Sequence, residues 1–105
     1  MSNLTLWNAT KDVTTVISSM VNMYHTCRMI RKEDSLKLKN KLKTLETIAR
    51  IEGLGELARA NIREIVKTQE LITQSNLNGE ALKYAMAQLE ELNYMLDKNV
   101  KEYLK

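Results

Sequence analysis

The chain has 105 residues, 44% of them apolar and 28% charged, with a formal net charge of +3. That is one domain's length with an ordinary globular composition. A single cysteine excludes an intrachain disulfide framework, and one histidine beside it leaves too few ligands to close a metal site.

Phe is absent and six Met are present, so the core is expected to be aliphatic and adaptable. No stretch approaches the roughly 18 apolar residues of a membrane span. The first residues lack the basic start and apolar run of a secretion signal, so the chain is expected to be cytoplasmic. The two Asn-X-Thr triplets at Asn3 and Asn8 then read as chance matches to a glycosylation pattern.

Residues 1–8 read as an N-terminal arm. Leu4, Leu6 and Trp7 give it an apolar side that packs on the body. Asn8 or Thr10 is the expected cap of a first helix over about 9–31, because a short side-chain oxygen accepts from the open amides of a first turn. Val13, Val16, Ile17, Met20, Met23, Tyr24, Cys27 and Ile30 recur at i, i+3, i+4 and form its apolar stripe. Cys27 in that stripe reads as a buried small hydrophobe rather than a nucleophile. The opposite side carries Thr15, Ser18, Ser19, Asn22 and Thr26, and no formal charge falls between Asp12 and Arg28. An exposed helix face normally carries Lys and Glu, so this neutral face is a candidate oligomer surface. His25 lies opposite the stripe and reads as a solvated or interface residue.

Glu33-Asp34-Ser35 is the expected cap of a second helix over about 34–52. Leu38, Leu42, Leu45 and Ala49 share one face. Lys37 and Lys41 flank it on one side and Lys39 and Lys43 on the other. Continued at about 100° per residue, that face lies roughly 170° from the one carrying Leu54, Ala58, Ile62, Ile65 and Ile72. A turn at Gly53-Leu54-Gly55 removes the conflict, since glycine supplies the positive φ that a helix end wants.

A third helix is expected over about 56–74. Ser75-Asn76-Leu77-Asn78-Gly79 then marks a boundary, with Asn78 as N-cap and a Leu77–Leu82 staple. The fourth helix covers about 79–104 on the stripe Leu82, Met86, Leu89, Leu92, Leu96, Val100 and Tyr103, and Asn93 falls inside it, either as a buried polar residue that fixes register or oligomer state or at the stripe edge with its amide in water. Tyr84, Gln88, Glu91 and Met95 form a weaker second stripe on that helix.

The expected architecture is one all-α domain, an up-down antiparallel four-helix bundle. The alternative is three helices with a long continuous central helix whose two faces are covered in a dimer.

No carboxylate pair, nucleophile constellation or phosphate loop stands out, so no catalytic, cofactor or small-molecule site is expected and the chain reads as non-enzymatic. The strongest candidate surface is the basic patch Arg28, Arg31, Lys32, Lys37, Lys39, Lys41 and Lys43. Residues 28–43 hold seven basic and two acidic residues, +5 against +3 for the whole chain. Four of the seven straddle an apolar stripe, as ordinary solvated flanks do, so the segment reads as a plain soluble face, as a surface for an acidic protein or, as the alternative, as one for a nucleic acid. The expected function is a small adaptor, inhibitor or chaperone-like protein that binds a protein partner or a second copy of itself.

Overall fold

The structure is a computed structural model that describes residues 2–74 and 77–105. Four helices follow one another: α1 (Ser2–His25), α2 (Lys32–Glu52), α3 (Glu56–Gln74) and α4 (Gly79–Tyr103). Each packs against its chain neighbours, and α1 against α4 closes the ring; the diagonal pairs make no close backbone approach among the described residues. The bundle is 41 × 22 × 21 Å, about the length of its longest helix at 1.5 Å per residue. This is the up-down four-helix bundle that the stripes imply.

The glycine pair makes the turn. Gly53 sits at φ 69°, ψ 37° and donates to the Arg50 carbonyl at 3.3 Å, while Leu54 N–H reaches the Ala49 carbonyl at 2.9 Å. These bonds satisfy two carbonyls that a helix end leaves open. Leu54 and Ala49 are then buried together in the core. With the chain reversed, Leu38, Leu42 and Leu45 of α2 and Ala58, Ile62 and Ile65 of α3 all point inward, so one chain covers both stripes and a continuous central helix is excluded.

Both ends of α1 depart from expectation. The segment 2–8 is not an arm but the first two turns of α1, with Leu6 fully buried. Leu6, Ala9, Val13 and Val16 carry the apolar stripe back into it. Asn8 and Thr10 therefore lie inside the helix, and Thr10 donates to the Leu6 carbonyl at 2.9 Å instead of capping. At the other end α1 stops at His25, six residues before Arg31. Cys27 adopts φ 59° and is exposed, not buried in the stripe. Its N–H donates to the Tyr24 carbonyl at 3.1 Å and Arg28 N–H to the Met23 carbonyl at 2.8 Å, the same terminating pattern as at Gly53.

α2 begins earlier than expected, with Arg31 at its N-cap position. Asp34 caps it from within: its Oδ2 accepts from Arg31 N–H at 3.0 Å. The guanidinium has no acceptor to return the bond, so only the carboxylate half of a capping box forms. Ser35 is buried one residue further on and plays no capping part. The boundary expected over 75–79 falls partly on residues 75 and 76, outside the described residues. Asn78 does take the N-cap position of α4, in extended conformation without a side-chain cap bond, and Gly79 follows at φ 54°.

Polar bridges tie the helices across the core. Gln69 Nε2 of α3 donates to the Ser35 carbonyl of α2 at 3.1 Å and to Thr73 Oγ1 at 2.9 Å. Asn99 of α4 donates to Asn61 of α3. Asn93 is half-buried rather than solvated. Its Nδ2 reaches the Thr14 carbonyl and Ser18 Oγ of α1, both at 3.3 Å, and its Oδ1 is buried without a partner among the described residues.

Candidate functional site: a cleft at the open end of the bundle

The antiparallel order gathers the end of α1, the start of α2, the end of α3 and the start of α4 at one end of the bundle. The turn after His25 leaves that end uncovered: its left-handed residue is followed by exposed Arg28 and Met29 and a half-buried Ile30 rather than by a buried residue. A cleft of about 500 Å³ remains, lined from all four helix ends.

The two walls of the cleft differ. Arg28, Arg31 and Lys32 stand on the α1–α2 side, together with Met29, which is 83% exposed. Ile72, Leu77 and Leu82 form the α3–α4 side, which carries no charge, and Tyr24 and Ile30 complete the apolar floor. No Asp or Glu lines the cleft among the described residues. Asp34 takes up part of Arg31, Nε to Oδ2 at 3.7 Å. Arg28 and Lys32 make no ion pair among the described residues, and the N-terminus of α2 adds its own positive dipole end beside Lys32. Leu77 and Leu82, the expected staple, share this wall.

The seven basic residues do not form one patch. Only Arg28, Arg31 and Lys32 come together at the cleft. Lys41 turns to α1 and pairs with Asp12 at 3.5 Å. Lys37 precedes it by one helical turn, on the same side of α2. Lys39 and Lys43 face α3, where they line a small cleft with Glu46 and Glu70. The divergence follows from helix geometry, since residues two apart point about 200° apart.

The neutral face is exposed at Thr15, Ser18, Ser19 and Asn22 of α1 and at Thr26 in the turn that follows it. Two of its hydroxyls are engaged within the chain: Ser18 accepts from Asn93, and Thr26 donates to the Asn22 carbonyl at 2.9 Å. Ser18 and Asn22 also border a shallow α1–α4 groove with His25, whose Nε2 lies 3.8 Å from Glu90 Oε2. No group of three or more potential metal ligands occurs among the described residues, and no described helix is long and apolar enough to cross a membrane.

Sequence reasoning placed Tyr24 and Leu82 in the core stripes and so missed that both line the cleft. Their stripes extend beyond the last fully packed layer, which is the available signal.

Compared with known proteins, the chain matches no family model, no curated protein and no solved structure. The cleft and the surface around it are therefore read on their chemistry alone.

Proposed function

We propose that this chain is a non-enzymatic helical-bundle protein that acts by binding another protein, as an adaptor, inhibitor or chaperone-like partner, and that it also self-associates. The observation that carries this reading is the open-end cleft, which joins an apolar wall, an exposed methionine and a cationic rim in one surface. Protein interfaces combine an apolar centre with a polar rim and are enriched in Met and Arg. The exposed, uncharged face of α1 is the surface for a second copy, since no lysine or glutamate must be desolvated there.

The alternative reading is nucleic-acid binding. Tyr24 favours it, as an aromatic ring beside Arg28, Arg31 and Lys32. Against it stand the dispersal of the other lysines around α2 and the aliphatic character of the opposite wall, which offers no surface for stacking.

The test is cross-linked co-purification from the native host, followed by reconstitution of the identified protein with the purified chain. A stoichiometric complex is expected. Light scattering across a concentration series is expected to show a dimer. A strict monomer removes self-association, and recovery of nucleic acid with no protein partner removes the main reading.

A further inference from the structure

The two walls of the open-end cleft face each other with different chemistry, and this narrows what can bind between them. Among its lining residues only Ser35 is buried; Tyr24, Ile72, Leu77 and Leu82 are half-buried, and Arg28, Met29 and Lys32 are exposed. A small-molecule pocket buries most of its ligand's surface. This cleft would leave the body of a small amphiphile wet. A shallow trough with an apolar floor suits side chains that arrive on a backbone which remains outside.

Charge selects further. Arg28 and Lys32 stand without ion pairs among the described residues, no carboxylate lines the cleft, and the cations lie on one wall only. An occupant with apolar side chains on one face and carboxylates along one edge would meet both walls at once. Phosphates on a nucleic acid would be matched by the cationic wall but leave Ile72, Leu77 and Leu82 facing a charged backbone. A membrane surface is a poorer match, because the apolar residues form the floor of a trough rather than a protruding wedge.

We infer that the open-end cleft is the docking site for an acidic amphipathic segment of a partner protein, with its apolar side chains against Ile72, Leu77 and Leu82 and its carboxylates against Arg28 and Lys32. This rests on the reading that the protein acts by binding another protein, and it names the part of the partner that is recognised. Met29 closes over the apolar side chains from the rim, where its flexible thioether adapts to different sequences.

The experiment is selection of a random peptide library on the full-length protein, followed by anisotropy titrations of the enriched peptides. Two double variants are compared: Arg28→Glu/Lys32→Glu in the cleft and Lys39→Glu/Lys43→Glu on the α2–α3 side. Both make the same change in net charge at exposed positions, and far-UV circular dichroism checks that both remain helical. Enriched peptides are expected to pair Asp or Glu with apolar residues. Their affinity should fall by about tenfold or more in the cleft variant and far less in the control, because only the first loses paired charges at the contact. Met29→Ser should weaken them less, without changing the salt dependence.

Absence of enrichment, enrichment without acidic residues, or equal losses in the two double variants overturns the inference. So does tighter binding, dependent on Arg28 and Lys32, to single-stranded RNA or to phosphatidylserine/phosphatidylcholine vesicles. A protein partner from the native host that binds the cleft variant as well as wild type sinks the cleft assignment alone and leaves the wider reading standing. A host that yields no protein partner sinks both.

Discussion

Two helices of this bundle stop in the same way and with opposite consequences. After α2, Gly53 takes the left-handed conformation and Leu54 returns its amide to Ala49; after α1, Cys27 takes that conformation and Arg28 returns its amide to Met23. Leu54 is 2% exposed and plugs the core, whereas Arg28 is exposed and leaves the floor of a cleft open behind it. The closed end gains more cover from Leu6 and from Tyr103, whose hydroxyl donates to the Glu52 carbonyl at 2.9 Å. Lys11 and Lys101 each lie over the Trp7 ring there, 5.7 and 5.9 Å from its centre. The residue after the left-handed position decides whether a bundle end is sealed or available. An apolar side chain there completes the core, and a cation leaves a surface that water or a partner must cover.

The largest expected effect tests whether the closed end carries the stability. Leu6→Ala removes a fully buried side chain and should cost about 2–5 kcal/mol, as core leucine truncations do. Met29→Ala at the open end should change stability by less than about 0.5 kcal/mol, because Met29 is exposed in the free protein. Urea unfolding followed by circular dichroism measures both. Comparable losses would mean that the open end is also part of the cooperative core.

The second expectation separates the two glycines of the central turn. Gly53 needs its positive φ, so Gly53→Ala should cost about 1 kcal/mol even though an added Cβ meets no atom within 4 Å. Gly55 has no such constraint and equally open space, but its carbonyl accepts from Arg59 N–H at 3.1 Å as the N-cap of α3, where glycine is preferred to alanine; that cost offsets the gain through the unfolded chain, so Gly55→Ala should stay within about 0.5 kcal/mol of wild type. The two substitutions of one short motif are thus expected to differ clearly in size in the same thermal melts. At the open end the logic inverts. Cys27 occupies the left-handed region with a side chain, so Cys27→Gly should stabilise by about 0.5 kcal/mol, the relief of strain less the added freedom of the unfolded chain. A loss instead would mean that the Cys27 side chain contributes to the turn.

Much of the closed end was legible in the sequence. The reversal of apolar phase between Leu45 and Leu54 required a turn, and two glycines marked its place. The start of α1 was misread: Leu6, Ala9 and Val13 keep helical spacing, but the capping chemistry of Asn8 and Thr10 outweighed that signal and placed the helix start near residue 9. The open end was not legible. Periodicity carried the stripe on through Cys27 and Ile30, because a non-glycine residue in the left-handed region leaves no mark in composition. The cleft itself joins Tyr24, Lys32, Ile72 and Leu82 from four helix ends, a proximity that only the closed ring of helices creates. The charge excess of residues 28–43 was visible as a sum, but its division around α2 depends on where that helix begins and which side it buries.

The smallest expected effect asks whether electrostatics helps to hold the closed turn. Arg63 Nη2 lies 2.6 Å from Glu56 Oε1 at the start of α3. The hydrogen bond from Arg63, then its charge, holds the Glu56 carboxyl below the usual glutamate range. A carboxyl lowered on folding contributes stability above its ordinary pKa and loses that contribution as pH falls through the lowered value. Both side chains are in water, where screening leaves such pairs little weight. Carbon-13 NMR titration should therefore show Glu56 ionising below the ordinary glutamate range and returning to it in Arg63→Gln, while the urea midpoint of that variant near neutral pH stays close to wild type. A clear drop in the midpoint would move part of the closed end's stability from the burial of Leu54 and Leu6 to this surface pair.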